Sequence, residues 1–273
     1  MEIKHFTPAQ TLMITKPIGV NGRDLMKYSF LDLVYRGILK VYREWRLPHP
    51  NDAQEQLYTF VSRGDRFQDY VGSLHQDPFV NPFEEDNYEY QVRTLVKKVF
   101  KEQGKASGFK LKRVYEELRI NGYFASSYGL KYMKLFFLNE TGSGLKKKFK
   151  QILEEAEKSL PKVLKYDKNE TKEILSTLGS NILLLECFDD HMIKQLKSTF
   201  AEEEVLVKQS DEIMLDRLDT FEVLFYAFLD TIEYFDASFD SFDSSFDFGG
   251  SDFGGDFGGG DWGGGGDFGG GDF

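Results

Sequence analysis

Apolar residues recur every three or four positions along most of this chain, which is the spacing of amphipathic helices. Residues 21–36 show the pattern most clearly, with an apolar face of Met26, Phe30, Leu33 and Val34. Asn21 is a candidate cap at the start of this helix. Gly37 predicts its end, because glycine readily adopts the positive φ that closes many helices.

A β-hairpin is predicted directly after this helix. Residues 38–45 and 56–61 are rich in β-forming side chains, and a loop containing Pro48, Pro50, Asn51 and Asp52 separates them. A helix, a glycine and a hairpin in this order are typical of the last helix and the wing of a winged-helix unit.

The same order recurs further along the chain. Residues 110–121 have helical periodicity, Gly122 follows, and residues 123–126 form a short strand candidate. Leu33, Gly37 and Ile38 in the first unit correspond to Leu118, Gly122 and Tyr123 in the second. The repetition predicts two winged-helix-like units, with an amphipathic helix over residues 88–103 between them.

Four further helices are predicted from the same spacing. They cover residues 144–160, 169–186, 190–200 and 210–234, and Asp189 or Asp190 is the candidate cap of the third. The predicted fold class is mainly α with small β-wings: two winged-helix-like units plus C-terminal helices, followed by a disordered tail. The predicted parts are 1–75, 76–234 and 235–273, the first two forming one continuous body.

Residues 235–273 consist almost entirely of Asp, Phe, Gly and Ser. A glycine-rich backbone loses much entropy on ordering, and aromatic rings separated by Asp and Gly cannot share one face, which predicts disorder. Repeated Asp-Phe pairs favour an interaction element over a plain spacer. Its candidate contact residues are Phe253, Phe257, Trp262, Phe268 and Phe273. This tail alone resembles the acidic, Phe-ended tails of single-stranded-DNA-binding proteins, which recruit partner proteins.

Charge is separated along the chain. The net charge is −11, yet residues 93–168 contain 19 Lys and Arg against 8 Asp and Glu, and residues 236–273 contain nine Asp and no cation. A basic segment of this kind can attract nucleic acid, anionic lipid or an acidic peptide, although charged runs often only solvate helix faces.

The densest basic run follows two glycines, in residues 141–150. Glycines at a helix start followed by lysines could hold an anion, although the spacing is not that of a P-loop. The simpler interpretation is a flexible turn before a solvated helix. The candidate anion-binding residues are Arg113, Lys146, Lys147, Lys148 and Lys150.

Nucleic-acid binding through the first wing is the alternative. Its candidate phosphate-contacting residues are Lys40, Arg43, Arg46, Arg63 and Arg66. The preceding helix, however, is expected to expose Asp24 and Asp32 and has few cations, which is unusual for a helix that reads bases.

No catalytic, metal or cofactor motif stands out. Cys187 is the single cysteine, the four histidines are scattered, and the Glu116–Glu117 and Glu154–Glu155 pairs are expected to be surface charges. No enzyme activity and no cofactor are therefore predicted. Without a signal peptide or a long apolar run, a cytoplasmic location is expected, with association at a membrane surface as an option.

Part of the chain resembles the Golgi phosphoprotein family of helical proteins. The matching stretches are Leu31–Leu39, Val114–Leu118 with Gly122, and Thr141 with the Lys146–Phe149 helix. The resemblance implies a helical domain that binds phosphoinositide head groups, with Arg113 and Lys146–Lys150 as residues to test. The lipid-contacting Trp and Arg of that family have no counterpart here. Bacterial membrane proteins of unknown role combine a similar module with a Gly-rich tail.

The function expected from these features is that of a non-catalytic adaptor. Its basic surface would bind an anionic partner, which could be a head group, an acidic peptide or the chain's own tail. The Asp-Phe tail would recruit another protein or cover the basic surface. A winged-helix nucleic-acid-binding protein is the alternative, and an enzyme of unknown type is a minor one.

Overall fold

The computed structural model describes residues 1–47, 54–84, 88–125 and 136–209, together with Phe225. The chain starts with a short 3₁₀ turn, Ile3–His5, and helix α1, Pro8–Thr15. Thr7 caps α1: its side chain accepts a hydrogen bond from Gln10 N, and the Gln10 side chain accepts one from Thr7 N. This reciprocal capping fixes the first helix start.

Helix α2 covers Gly22–Tyr35, as the apolar spacing predicts. Asn21 caps it by accepting a hydrogen bond from Arg23 N, and Gly37 follows it with a φ of 69°. Both sequence predictions are confirmed. One face of α2, including Leu25 and Phe30, is fully buried, and α2 packs against α1.

The hairpin predicted after α2 is also present. Strand β1, Leu39–Arg46, pairs antiparallel with β2, Gln56–Arg63, so that Val41 lies opposite Val61. A two-residue strand β3, Tyr90–Gln91, pairs antiparallel with the other side of β2. The sheet therefore has the order β1-β2-β3.

Helix α3 covers Val92–Glu102, which confirms most of the helix predicted for residues 88–103. Its first four predicted residues are not helical. Tyr88 and Glu89 precede β3, and the extended backbone of Gln91 allows Tyr90 and Gln91 to join the sheet. Hydrophobic periodicity alone does not distinguish such a strand from one more helical turn.

Helix α4 covers residues 106–120 and has a π-helical middle. Its three parts are Ala106–Phe109, Lys110–Tyr115 and Glu116–Ile120, of which the second has π geometry. Gly122 follows with a φ of 78°, as predicted. Phe124 then forms an isolated antiparallel bridge with Leu138 in place of a full strand, and residues 126–135 lie outside the described part.

Three further helices follow in the described chain: α5, Glu140–Val163; α6, Lys168–Leu178; and α7, Asp190–Gln209. Asp167, not Asn169, caps α6, and Gly179 with a φ of 55° ends it eight residues before the predicted end. A 3₁₀ segment, Gly179–Leu184, follows. Asp189 accepts a hydrogen bond from Met192 N, which confirms the predicted cap of α7.

The buried side chains of α1 to α7 and of the sheet form one continuous hydrophobic cluster. The fold is thus mainly helical with one small antiparallel sheet, as predicted. The helix predicted for residues 210–234 lies outside the described residues except for Phe225, whose buried ring lies 6.0 Å from that of Phe200. The tail predicted for residues 235–273 lies outside them altogether.

No helix in the described part of the chain has both the length and the apolar character needed to cross a bilayer.

Candidate functional site

Helix α3 separates its apolar and basic residues into two halves. The apolar half, which includes Leu95 and Val99, is buried in the core. Successive residues of an α-helix are rotated by about 100°, which places four cations on the exposed half of α3 and Glu102 at the edge of that half. We call these four residues the basic face: Arg93, Lys97, Lys98 and Lys101, all of which are exposed.

A pocket adjoins the basic face where α3 approaches α4. Its volume is about 310 Å³, and it combines two prolines and two tyrosines with two cations. Lys98 Nζ lies 5.8 Å from the centre of the Tyr90 ring. We call it the Tyr–Pro pocket, and its lining residues are Pro78, Asn81, Pro82, Tyr88, Tyr90, Lys98, Glu102, Gln103 and Arg113.

Arg113 is positioned by a strong hydrogen bond. Its Nε donates a hydrogen bond of 2.7 Å to Oε1 of Gln103, whose side chain is buried at the end of α3. Arg113 belongs to the π-helical part of α4, and π segments occur frequently at functional sites. The guanidinium is thereby held at the pocket, where its remaining N–H groups can meet an anion.

The lysines of α5 do not join Arg113 in this pocket. Lys147, Lys148 and Lys150 are exposed and Lys146 is half-buried, but none of them lines the Tyr–Pro pocket. Lys148 Nζ instead donates a 2.9 Å hydrogen bond to the carbonyl oxygen of Met1. The predicted anion-binding set is therefore divided between two places in the fold.

The two glycines before these lysines are part of helix α5 and do not form a loop ahead of it. Asn139 caps α5 through a hydrogen bond from Gly142 N, so Gly142 and Gly144 lie inside the first turns. Gly142 is buried, and a Cβ there would lie 2.1 Å from the carbonyl oxygen of Tyr123. The flexible turn predicted for this segment is wrong, because residues 140–144 are helical and Gly142 is closely packed. Anion binding by this segment stays a prediction.

Three of the five wing cations make contacts within the protein. Arg46 bonds Glu89 at 2.9 Å, and Arg66 bonds Asp69 at 2.8 Å. Arg63 donates to the carbonyl oxygens of Phe83 and Glu84.

Lys40 and Arg43 are exposed, yet they stand an odd number of residues apart on β1 and so point to opposite faces of the sheet. The expectation that Asp32 is exposed is wrong, since its carboxylate is buried and accepts a 2.6 Å hydrogen bond from Gln76. Asp24 is exposed as expected.

A buried polar network around His75 was not predicted from the sequence. His75 is fully buried; its Nδ1 lies 2.7 Å from Glu117 Oε2, and its Nε2 lies 2.8 Å from Thr7 Oγ1. Ser73 Oγ and Gln10 Nε2 donate to the same Glu117 carboxylate. Glu117 was expected to be a surface charge, and the structure contradicts this because its carboxylate is largely enclosed by these donors.

Burial alone would raise the pKa of Glu117, but the hydrogen bonds and charge from His75, together with the hydrogen bond from Ser73, hold that pKa below its usual value. An ionised carboxylate can only accept hydrogen bonds, so Nδ1 of His75 carries a hydrogen.

Hydroxyl, imidazole and carboxylate groups in this order also occur in hydrolases. Here the Thr7 hydroxyl already caps α1, and the network ties α1, residues 73–75 and α4 together. We interpret it as structural.

The tyrosines of the pocket were also missed, whereas Lys97, Lys98 and Lys101 were recognised as part of the wider basic segment. Tyr88 and Tyr90 alternate with polar residues, a weak strand signal that could have identified them. Their approach to Arg113 depends on packing between distant segments.

Among the described residues, no group of three or more Asp, Glu, His or Cys side chains is arranged to hold a metal ion.

The five predicted contact residues of the tail, Phe253, Phe257, Trp262, Phe268 and Phe273, lie outside the described residues.

Comparison with known proteins identifies no relative: no protein-family model, no curated protein and no solved structure matches this chain.

Proposed function

We propose that this chain is a non-catalytic adaptor that binds an anionic partner through the basic face of α3 and the Tyr–Pro pocket. The observation that carries the proposal is the continuity of the two features, since Lys98 belongs to both. Arg113 adds a second cation on the α4 side of the pocket. This is the kind of surface that attracts an acidic segment and then holds one of its side chains.

The partner that fits this surface best is an acidic peptide carrying an aromatic ring. Two tyrosines and two prolines offer a ring flat apolar surfaces, while Lys98 and Arg113 lie where they can pair with a neighbouring carboxylate. A head group alone would use the cations and leave the tyrosines without a role. The chain's own Asp-Phe tail has the required chemistry, and so does a similar segment of another protein.

The winged-helix interpretation belongs to this proposal as well. The order α2, Gly37, β1 and β2 supports it for the first unit. For the second unit, α4, Gly122 and the Phe124–Leu138 bridge support it. In this interpretation the units serve as a rigid scaffold for protein binding rather than for reading DNA, because most of the wing cations are engaged internally.

Fluorescence anisotropy with a labelled peptide of the sequence 252–273 tests the proposal. We expect saturable binding that weakens with salt, and we expect the Lys98→Gln/Arg113→Gln variant to bind at least about fivefold more weakly. The Lys147→Gln/Lys150→Gln variant is the matched control, because it removes the same charge from exposed positions on α5.

Equal affinities for the two double variants would reject the Tyr–Pro pocket as the site. A loss confined to the α5 variant would assign binding to those lysines instead. Sedimentation with vesicles containing phosphatidylinositol phosphate, measured on the same variants, tests the head-group alternative that the family resemblance implies.

Recruitment of another protein through the tail calls for a separate comparison. Affinity capture with the full-length chain and with a 1–234 truncation, side by side, is expected to recover different proteins if the Asp-Phe tail recruits a partner. Recovery of the same proteins by both forms would indicate that the tail acts only as a spacer.

A further inference from the structure

A second cavity lies on a different part of the molecule from the Tyr–Pro pocket. Its volume is about 550 Å³, and it opens between the N-terminal segment, the last turn of α2 and the junction of α6 with the following 3₁₀ segment. We call it the Arg36 cavity. It is lined by Lys4, His5, Phe6, Thr7, Asp32, Tyr35, Arg36, Ser176, Gly179 and Ser180.

Arg36 has most of its hydrogen-bonding capacity unused. Both of its side-chain contacts involve Nη1 and are long: 3.5 Å to Gln76 Oε1 and 3.6 Å to Asp32 Oδ2. Charge-assisted hydrogen bonds are normally 2.7–2.9 Å. Its Nε and Nη2 have no partner among the described residues.

The buried Asp32 carboxylate forms an ion pair with Arg36, with Oδ2 3.6 Å from Nη1, but not a short hydrogen bond. The carboxylate accepts its short hydrogen bond, of 2.6 Å, from Gln76 Nε2. The guanidinium therefore remains a fork of donors at the cavity wall, the geometry that suits a carboxylate or a phosphate.

Two further groups complete the wall around this fork. Lys4 forms an ion pair with Glu2, with 3.1 Å between Nζ and Oε2. Both side chains are about half exposed, and exposed ion pairs of this kind contribute little energy. The Ser180 side chain is almost fully buried and lines the cavity. Gly179 brings this wall close, because a Cβ there would lie 3.4 Å from the Cβ of Lys4.

We propose that the Arg36 cavity binds a small phosphate-bearing molecule. The phosphate oxygens accept hydrogen bonds from Arg36 and charge from Lys4, and the Ser180 hydroxyl contacts the remainder of the ligand. The site is independent of the basic face and of the Tyr–Pro pocket, so this proposal does not rest on the proposed adaptor function.

Isothermal titration of the full-length protein with inorganic phosphate and with sn-glycerol 3-phosphate tests this site. We expect saturable binding of glycerol 3-phosphate, and a loss of affinity of at least about tenfold for Arg36→Gln. Arg43→Gln is the matched control, since it removes the same charge from an exposed position on β1 and is expected to leave the affinity unchanged.

Lys4→Gln is a second variant that does not depend on α2 folding normally, because Lys4 is half exposed and precedes α1. It is expected to weaken binding less than Arg36→Gln does. Circular dichroism and the melting temperature establish that each variant is folded. Absence of saturable binding, or equal affinities for Arg36→Gln and Arg43→Gln, would overturn the proposal.

The phosphate could belong to a free metabolite or to a lipid, and sedimentation with phosphatidylcholine vesicles, with and without phosphatidic acid, separates these sources. Vesicle binding that Arg36→Gln abolishes and glycerol 3-phosphate competes away supports the site with a lipid head group as ligand. Binding of glycerol 3-phosphate without vesicle binding supports it with a soluble ligand. Vesicle binding that neither the variant nor the competitor affects, with no titration signal, would contradict it.

Discussion

At the scale of single residues, the Glu117 carboxylate shows how a charge can be buried without a large penalty. It accepts hydrogen bonds from Ser73, from Gln10 and from both the ring and the backbone of His75. Each donor replaces part of the water that the carboxylate loses. Removing the charge would leave several donors with a weaker acceptor, which is usually more costly than removing both partners together.

We therefore expect Glu117→Gln to lower the free energy of unfolding by roughly 1–3 kcal/mol at pH 7. Because the folded-state pKa of Glu117 lies below 4.5, the carboxylate contributes its stability fully above about pH 5. This contribution is lost as the pH falls through the folded-state pKa, so the difference between the wild type and the variant should shrink.

Urea unfolding of the two proteins at pH 7, 5 and 3 measures this. Glu154→Gln is the control, because Glu154 is exposed on α5 and the same substitution there should change little at any pH. A pH-independent difference between the wild type and Glu117→Gln would argue against a charged Glu117 in the folded protein.

The local signals at single residues were sufficient for caps and helix ends but not for this network. Asn21, Asp189, Gly37 and Gly122 were predicted correctly because capping depends on a few consecutive backbone groups. His75 and Glu117 are 42 residues apart and meet only after α1, the 73–77 segment and α4 have packed. A single sequence contains no signal of that distance.

At the scale of elements, helix α5 illustrates how a glycine can have opposite roles within one turn. Gly142 faces the carbonyl oxygen of Tyr123, whereas a Cβ at Gly144 would meet no atom within 4 Å. Both glycines are helical, so both carry the same entropic cost. Only the first has a steric reason to be glycine.

We expect Gly144→Ala to raise the free energy of unfolding by about 0.5–1 kcal/mol, because alanine loses less backbone freedom in a helix. Gly142→Ala should lower it, by roughly 1–3 kcal/mol, since its Cβ would overlap the Tyr123 backbone. Thermal and urea unfolding of the two variants measure both values. Equal effects of the two substitutions would mean that Gly142 does not lie against the carbonyl oxygen of Tyr123.

The helical elements were predicted with errors at their ends, and those errors have two causes. The start of α5 was placed at Gly144 because glycine and serine usually indicate turns, whereas tertiary packing against Tyr123 outweighs that preference. The start of α3 was placed too early because Tyr90 and Gln91 find a partner in β2, which a local pattern does not show.

At the scale of the whole molecule, basic residues that form one continuous segment of the sequence lie on separate surfaces of the fold. The basic segment 93–168 contributes to two surfaces: the face of α3 with Arg113, and the first turns of α5. The family resemblance grouped Arg113 with the α5 lysines, which form the densest basic run along the chain. Folding instead brings it next to Lys98 and two tyrosines.

Binding of the tail to the Tyr–Pro pocket in the same molecule requires a tail that is long compared with the folded body. If residues 235–273 behave as the flexible chain that their composition predicts, their mean end-to-end distance is about 35 Å. A folded body of about 200 residues has a radius of gyration of roughly 17 Å, so one Asp-Phe pair can reach most of its surface. Autoinhibition is therefore geometrically feasible, and it makes a distinct prediction.

Replacing all ten aromatic residues of the tail with Ser in the full-length protein should strengthen binding of the labelled 252–273 peptide. These ten include the predicted contact residues Phe253, Phe257, Trp262, Phe268 and Phe273. The tail and the probe would compete for the pocket through the same rings, so removing the rings removes the competitor while all nine Asp remain. Replacing the nine Asp with Asn tests the charges separately, and its effect should diminish at high salt, because screening acts on the charges and not on the rings. Anisotropy titrations at low and high salt compare the three proteins. If the aromatic variant binds the probe as the wild type does, the tail does not occupy the pocket in cis, and its Asp-Phe pairs would then act only on other molecules.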